Sequence, residues 1–392
     1  MRTGADQLTI SHINQDLILK TIKKHNQITR AGIAQELQLS PPTVSSNIEK
    51  LLQKGLVQEF ATDVSEGPGR KGKLIGLNEA YAYIVCADLS SPLLIMGLGT
   101  IKEEILECRQ YDRLKGLNAC QILGCVKNAV ADLLARNHLT MDQVGSVVVC
   151  SPGIIDEYAG KIEYAPQLPD WGGANVFSAL REEYGDRLIL MNDANSIALG
   201  ELQKGIGRYW DSFAYINIDV GIGGGIIVDH KLLQGHNLAA GELGYMLTAL
   251  DQLGNPSPEK GSLERLISIR AIQKRLAEQL SLSPEEMTIS AINQRYRSGD
   301  SVVRREIDTM IRMIAMCAVN ISAILNVPVI CLGGMIRELD VDLESRISGM
   351  IQGMLPYVPH ICRSQLGSTG FIYGALYLGA ERILHRATHE TE

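Results

Sequence analysis

YINIDVGIGGGIIVDHKLLQGHNLAAGELGY, residues 215–245, is the stretch that decides the fold. Two apolar segments in it, 216–218 and 226–228, predict β-strands joined by a turn. Four glycines stand between or at the edge of these segments: Gly221, Gly223, Gly224 and Gly225. Glycines at this density let a backbone come close to another group. That group is either a phosphate, or the packed interior of a sharply bent hairpin that needs small residues. The glycines alone leave both interpretations open.

Polar blocks flank this stretch on both sides. Upstream, an apolar segment ends at Asn192 and Asp193, which open a predicted helix; an Asn in this place is also typical of a plain helix cap. Downstream, residues 240–245 read AGELGY and contain Glu242 and Tyr245. The three blocks, in this order and spacing, resemble the sugar-binding half of the ROK family, which groups bacterial repressors, open reading frames and sugar kinases. The resemblance covers essentially the whole chain.

The resemblance implies an α/β protein with two parts. Residues 1–79 would form a winged helix-turn-helix, and residues 80–392 a two-lobed actin/hexokinase-like (ribonuclease H-like) ATPase fold. The predicted elements after residue 80 occur in the order that is typical of the N-terminal part of an actin-like lobe. These elements are strands at 83–88, 93–97 and 101–108, a helix at 117–137 and a strand at 144–149, followed later by helical regions at 262–295 and 300–327, a strand at 329–332 and a helix at 370–384.

Bulk properties predict a protein without a membrane partner. The chain has 392 residues, of which 45% are hydrophobic, and a net charge of −7. Residues 1–79 carry 10 basic and 8 acidic residues, whereas the remainder carries 27 and 36, which fits a DNA-binding head on an acidic regulatory body. No apolar run reaches transmembrane length and no signal-peptide pattern is seen, so we expect a cytoplasmic protein. The eight scattered cysteines predict buried, reduced thiols.

The N-terminal segment shows a helix-turn-helix pattern. A helix is predicted at 14–24, Thr29 suits the N-cap of a second helix, and Ser40 that of a third. Val44, Ile48, Leu51 and Leu52 would form the buried side of the third helix. The opposite side carries the predicted DNA contacts Thr43, Ser45, Ser46, Asn47 and Lys50.

A basic hairpin follows the three helices. Strands are predicted at 56–60 and 73–77, and between them lies a Gly-rich tip with Arg70 and Lys71. Residues 12–77 resemble the winged helix-turn-helix of ROK repressors, including the Gly-Arg-Lys tip, and the kinases of the family lack this domain, so we expect both basic residues to contact operator DNA. The alternative for residues 12–77 is a small helical protein-interaction domain.

The resemblance also shows which kinase chemistry is lost. The family's first phosphate loop, Asp-x-Gly-Gly-Thr, is replaced here by DLSSP at 88–92, where Pro92 removes an N–H donor. In the second loop, Asp219 and Val220 stand in place of Gly and Thr. Both changes oppose ATP binding, by steric exclusion and by charge. Asp193, in the position of the catalytic base, is then expected to accept a hydrogen bond from a sugar hydroxyl without any catalysis.

The resemblance also implies that the zinc site of the family is lost in this sequence. Its His and three Cys positions correspond to Tyr245, Asn255, Ser257 and Ser262, and these side chains cannot replace thiolates and imidazole as structural zinc ligands. We therefore expect no metal and no cofactor.

What remains is a set of residues suited to a polyol, since carboxylates and amides bind adjacent hydroxyls. The predicted sugar-binding residues are Asn192, Asp193, Glu242, Glu264, Tyr245, Gly160 and Gln167. The alternative is that Asn192 is only a helix cap and that the two glutamates are solvated.

The sequence therefore predicts a DNA-binding regulator of carbohydrate metabolism that is not an enzyme. A repressor is the favoured prediction. Its partners would be operator DNA, a sugar or sugar derivative, and further copies of itself in a homodimer or homotetramer, because paired half-sites need paired heads. Two alternatives stay open: a bifunctional ATP-dependent sugar kinase, and a regulator without a small-molecule ligand.

Overall fold

The N-terminal helices and hairpin form a winged helix. The computed structural model describes residues 7–61, 72–90, 93–113, 116–156, 161–164, 176–254 and 261–389. The elements of the winged helix are α1 (Gln7–His25), β1 (Gln27–Thr29), α2 (Arg30–Leu37), α3 (Pro41–Gln53), β2 (Val57–Phe60) and β3 (Leu74–Leu77). The three strands pair antiparallel in the order β1-β3-β2. Strand β1 was not predicted, because three residues between two helices carry no alternation pattern.

Local capping chemistry sets the boundaries of the helices, as predicted. The Thr29 hydroxyl accepts a hydrogen bond from the Gly32 amide at 3.1 Å, and Ser40 caps α3 through the Thr43 amide at 3.3 Å. The residues predicted to face the interior of α3 are buried, with Leu52 at its edge. One expectation was wrong: Leu17, on the predicted apolar side of the first helix, is 41% exposed because it lies at the rim of the small domain.

The first lobe of the body is built around a five-stranded sheet in the order β10-β7-β4-β5-β6. Its elements are β4 (Tyr83–Asp88), β5 (Leu93–Thr100), β6 (Ile105–Arg113), α4 (Ala119–Arg136), β7 (Val144–Ser151), β8 (Ile154–Asp156), β9 (Lys161–Tyr164), α5 (Val176–Tyr184), β10 (Leu188–Asn192) and α6 (Asp193–Lys204). The predicted strand 101–108 in fact starts at Ile105, since the preceding residues turn the hairpin with Glu103 at a φ of 64°.

The second lobe has a matching five-stranded sheet in the order β13-β12-β11-β14-β15, covered by helices. Its elements are β11 (Phe213–Ile218), β12 (Ile222–Val228), β13 (Lys231–Leu232), α7 (Ser262–Ile267), α8 (Ile269–Leu280), α9 (Ile289–Ser298), α10 (Ser301–Leu325), β14 (Val329–Gly333), α11 (Leu343–Ile351) and β15 (His360–Arg363). The last helix, α12 (Gly370–His389), returns to the first lobe and packs on α6, β4 and β7. In both sheets antiparallel strands stand beside parallel ones, and the two lobes form the predicted actin/hexokinase-like fold.

Three of the four glycines, Gly223, Gly224 and Gly225, lie inside strand β12 and serve packing. A Cβ atom added to Gly225 would lie 2.3 Å from the Cβ of Ala198 on α6, and one added to Gly224 would lie 2.5 Å from Leu243 Cδ1. Both distances are far shorter than a carbon–carbon contact. The hairpin interpretation is therefore confirmed for these glycines, whose free side is occupied by protein atoms where a phosphate loop would need open space.

Helix α12 joins the body to the winged helix. On one side it packs tightly on α6, where the Ser196 hydroxyl donates to the Phe371 carbonyl at 2.8 Å. On the other side Lys23 of α1 forms ion pairs with Glu103 at 2.6 Å and with Glu381 of α12 at 3.0 Å. Further along, the Thr388 hydroxyl donates to the Asp16 carboxylate at 2.8 Å. A single helix thus contacts both the lobe that carries Asp193 and the first helix of the head.

The cysteines differ in burial, and one helix in the described part of the chain has the length and hydropathy of a membrane span. Four of the eight cysteines are buried and all are free thiols, but Cys108 and Cys120 are exposed, so the expectation of uniform burial was wrong. Among the described residues, α10 alone is long and apolar enough to span a membrane. Half of its most apolar window is buried, and its inner face packs in the core of the second lobe.

Candidate ligand-binding cleft and DNA-binding surface

Three carboxyl groups from different strands and helices converge where the lobes meet. Asp88 ends β4, Asp193 begins α6 and Asp219 follows β11. Burial raises the pKa of Asp193 to about 7, and the nearby negative charges of Asp88, Glu242 and Asp219 act in the same direction. Burial is also the main cause that raises the pKa of Asp219. The cleft is therefore strongly acidic, and its carboxyl groups favour ligands that donate hydrogen bonds.

Asp88 is engaged with its own loop. Its Oδ1 accepts from the Ser90 amide at 2.9 Å and from the Ser90 hydroxyl at 2.6 Å. Burial raises the pKa of Asp88 to about 6 although these two hydrogen bonds oppose the change. Ser91 and Pro92 lie outside the described residues. The described part of the loop thus uses its own amide internally, where a kinase would present amides to a phosphate.

The two glutamates have different environments. Glu242 is partly buried just before a short 3-10 helix (Leu243–Tyr245), and burial followed by the charge of Glu264 raises its pKa. Glu264 lies on α7 and is only 6% exposed, and its Oε2 accepts from the Ile222 amide at 3.1 Å. The alternative that both glutamates are solvated is therefore wrong for Glu264, which holds the start of β12 in place.

Asn192 acts as a helix cap. Its Oδ1 accepts from the Asn195 amide at 3.1 Å and its Nδ2 donates to the Gly153 carbonyl at 3.1 Å. Both ends of this amide are bonded within the protein, so the capping interpretation is confirmed. A role of Asn192 in ligand binding stays a prediction, since it would require an additional hydrogen bond on these same atoms or an exchange of partners.

Only some of the remaining residues from the predicted sugar and zinc positions lie in the described part of the chain. Tyr245 ends the short 3-10 helix that follows Glu242 and is 44% exposed. Ser262 begins α7. Four further residues, Gly160, Gln167, Asn255 and Ser257, lie outside the described residues. Within the described ranges, no group of three or more His, Cys, Asp or Glu side chains is arranged to hold a metal ion.

Sequence reasoning missed one polar residue at this site. Asn195 lies one turn beyond Asn192 on α6 and is only 7% exposed. It was not predicted as a site residue, because its position inside a helix gave no reason to separate it from other polar residues. The available signal was the second Asn of the MNDAN block, three residues after the cap and therefore on the same side of the helix.

The recognition helix α3 presents a smaller polar surface than predicted. Ser45, Ser46 and Lys50 are exposed and Thr43 is partly exposed, as expected for groups that meet DNA. Asn47 is 5% exposed: its Oδ1 accepts from Ser11 at 3.1 Å and its Nδ2 donates to the Thr43 carbonyl at 2.9 Å. Its assignment as a DNA contact was wrong, because α1 covers this side of α3. Arg70 and Lys71 lie outside the described residues.

Comparison with known proteins agrees with this architecture. The model of the ROK family matches residues 92–382, and a model described as winged helix-turn-helix DNA-binding matches residues 15–58. The xylose repressor of Bacillus subtilis (strain 168) is 29% identical over 276 residues, covering 69% of this chain and 70% of that protein. The DNA-binding transcriptional dual regulator NagC of Escherichia coli (strain K12) is 24% identical and covers 87% of this chain and 85% of its own length.

Solved structures show the same fold. A ROK family transcriptional regulator described as a homologue of the E. coli MLC protein superposes with a TM-score of 0.79, at 21% identity, over 97% of this chain and 98% of that chain. A ROK family glucokinase from Streptomyces griseus, solved with glucose and AMPPNP, has a TM-score of 0.63 at 22% identity and covers 76% of this chain and 99% of its own. The family model spans most of the sequence and the fold agrees with it, so the chain belongs to the ROK family.

Proposed function

We propose that this protein is a transcriptional repressor of carbohydrate metabolism whose binding to operator DNA responds to a sugar held in a non-catalytic cleft. The observation that carries the proposal is the pairing of an exposed Ser45/Ser46 surface on α3 with an acidic cleft around Asp193 in one chain. The first suits the major groove and the second suits polyol hydroxyls. Residues 1–79 would supply the DNA-binding domain and residues 80–392 the ligand-binding one.

The polar groups of the cleft support a bound sugar. Asp193, Glu242 and Tyr245 would bind its hydroxyls, and Glu264 would fix the hairpin that carries the second-lobe side of the cleft. Gly160 and Gln167 remain proposed ligands from the sequence alone. Similar chains include repressors named for xylose and for N-acetylglucosamine, so pentoses, hexoses and their derivatives are the ligands to test first.

Two features support the absence of phosphoryl transfer. Asp88 is bonded to Ser90 within its own loop, and the carboxyl of Asp219 stands where a kinase of this fold has glycine. A negative charge at that position repels a phosphate donor. We propose that no ATP is needed and that neither cofactor nor zinc takes part.

The DNA-bound form would be a dimer or a pair of dimers, working in the cytoplasm. A single recognition helix reads only a half-site, so paired heads are needed for a specific operator. Arg70 and Lys71 in the wing would add phosphate or minor-groove contacts.

A screen of the full-length protein against monosaccharides tests the ligand-binding half of the proposal. A ligand that binds only the folded state raises its melting temperature. We expect at least one pentose, hexose or amino-sugar derivative to do so without ATP. If no sugar shifts the melting temperature, the cleft has no sugar function and a regulator without a small-molecule ligand becomes the better explanation.

The second candidate is a kinase with a DNA-binding head. It is favoured by Asp193, whose raised pKa of about 7 suits a general base. Release of ADP from ATP in the presence of a stabilising sugar distinguishes the two, because the proposed regulator releases none above the level seen without sugar.

A further inference from the structure

A buried amide oxygen on α6 has no hydrogen-bond partner among the described residues. Asn195 is 7% exposed, and within the residues that the structure describes its Oδ1 accepts no hydrogen bond. The backbone amide of Asn195 is satisfied by the Asn192 cap, so the side chain is not needed to begin the helix. A buried acceptor left unpaired is costly, and a leucine of similar size would avoid that cost. The oxygen therefore points to a group that binds there.

The unpaired oxygen belongs to a residue that borders a small cavity of about 20 Å³. That volume is enough for one water-sized group. Ile155 and Leu190 line it from the first lobe, while Leu232 and Gln234 line it from the second. The cavity is thus formed only where the two lobes approach each other, and it opens beside Asn192, next to the acidic cleft.

The second-lobe wall is a structured turn. The backbone carbonyl of Gln234 accepts from the Ala240 amide at 3.0 Å, which closes the segment between them into a compact loop. Its side chain is exposed and stands at the rim of the cavity. Asn192 also borders the cavity, but both ends of its amide are already bonded to Gly153 and Asn195.

We propose that this cavity is a subsite that takes one hydroxyl of the bound sugar as a donor to Asn195 Oδ1, with Gln234 closing over it from the second lobe. The proposal rests on the proposed sugar-binding function. A cavity of this size suits a free hydroxyl at this position of the ligand. Because the walls come from both lobes, the same hydroxyl favours the closed arrangement of the lobes.

The test uses isothermal titration of the full-length protein with D-xylose, D-glucose, D-mannose, D-galactose and N-acetyl-D-glucosamine, and then with each monodeoxy analogue of the sugar that binds. In the wild type we expect one deoxy analogue to bind at least tenfold more weakly than its parent. In Asn195→Ala we expect parent and analogue to bind equally, because the group that read the missing hydroxyl is gone. Gln234→Ala should reduce the same selectivity and is a second variant at an exposed position.

Asn293→Ala is the matched control. Its amide is buried like that of Asn195, but its Nδ2 donates to the Glu338 carbonyl and its Oδ1 accepts from the Asp340 amide, both at 2.8 Å. We expect this variant to melt at a lower temperature and to keep the affinity and selectivity for the sugar. A purely structural role of Asn195 would give the same pattern as this control.

Two results would overturn the proposal, and they differ. In the first result a sugar binds, but the loss of affinity of each deoxy analogue relative to its parent is the same in the wild type, Asn195→Ala and Gln234→Ala. The cavity then holds only water, and the subsite is wrong while the sugar function stands. If none of the five sugars binds the wild type, the proposed function fails and the subsite with it.

Discussion

Asp193 combines partial burial with three neighbouring negative charges, and this controls its protonation. Its pKa of about 7 means that the carboxyl is neutral in mildly acidic solution and ionised above neutrality. The ionised form is the better acceptor for a sugar hydroxyl, in a hydrogen bond of about 1.5–3 kcal/mol. We expect the affinity for the stabilising sugar to rise between pH 6 and pH 8 in a titration series.

Asp193→Asn should bind the same sugar roughly tenfold or more weakly at pH 8, and its affinity should no longer depend on pH in this range. The control is the unchanged fold of the variant by circular dichroism. An affinity that is equal to that of the wild type at pH 8 would remove Asp193 from the ligand site.

The same carboxyl predicts a pH dependence of stability without ligand. The pKa of an unfolded Asp is about 3.9, whereas the pKa of the folded Asp193 is about 7. The raised folded pKa makes a stabilising contribution that is complete below about pH 4 and is lost as the pH rises through about 7. The amide that replaces the carboxyl in Asp193→Asn cannot ionise. This variant should therefore melt a few degrees above the wild type at pH 8, and its advantage should shrink toward pH 4.

Thermal unfolding followed at pH 4, 6 and 8 measures this difference directly. We expect the melting temperature of both proteins to keep a smaller decline with rising pH that comes from Asp88, since burial raises the pKa of Asp88 to about 6. A variant that melts below the wild type at every pH would mean that Asp193 matters chiefly as the first residue of α6, next to its cap.

At the scale of the elements, α3 separates residues that hold the head together from residues that we propose to contact DNA. Asn47→Ala removes two hydrogen bonds and should lower the free energy of unfolding of the head by about 1–2 kcal/mol. Ser46→Glu changes only an exposed position. It should keep the melting temperature and weaken binding to DNA strongly, since a carboxylate would face the phosphates. Fluorescence anisotropy and thermal unfolding on both variants check this, and the reverse pattern would contradict the assignment.

Much of the fold could be predicted because its signals are local. Thr29 and Ser40 cap the helices that their sequence positions indicate, and the strand that ends at Asp88 was placed correctly from its run of apolar residues. Asn47 was misplaced because its burial depends on Ser11, 36 positions away, which no periodicity reveals. The role of Gly225 was left open for the same reason, since Ala198 decides it through a contact between separate elements.

The candidate site was predicted from motif positions, and the structure adds what motifs cannot contain. Glu264 is predicted from the sequence to bind sugar, yet its Oε2 accepts a hydrogen bond from the Ile222 amide. Asn195 carried no signal beyond its spacing from Asn192, and its significance follows from an unpaired oxygen beside a cavity shared by two lobes. Such properties depend on the approach of distant segments.

In the whole molecule, α12 connects the lobe that carries Asp193 to the head. Lys23 of α1 lies between Glu103 of the body and Glu381 of α12. Burial lowers the pKa of Lys23, but the charges and hydrogen bonds of the two glutamates together outweigh burial, so the pKa is raised above its ordinary value. These two ion pairs link the head to the body. Lys23→Met keeps the aliphatic stem beside the Tyr377 ring and removes the charge.

We expect Lys23→Met to bind DNA and sugar with affinities near those of the wild type but to lose most of the effect of one ligand on the other, since coupling requires a shared conformational change. Lys24→Met, at the neighbouring and largely exposed position, is the matched control. A full response of DNA affinity to sugar in Lys23→Met would show that the ion pairs do not transmit the signal.

The most direct measurement is the affinity of the full-length protein for a duplex chosen by selection from random DNA, determined by fluorescence anisotropy with and without a saturating concentration of the stabilising sugar. We expect the sugar to change the Kd for that duplex at least fivefold without ATP, because a coupling free energy of about 1 kcal/mol or more is typical of such regulation. An unchanged Kd in the presence of a sugar that demonstrably binds would contradict the link between the cleft and the head.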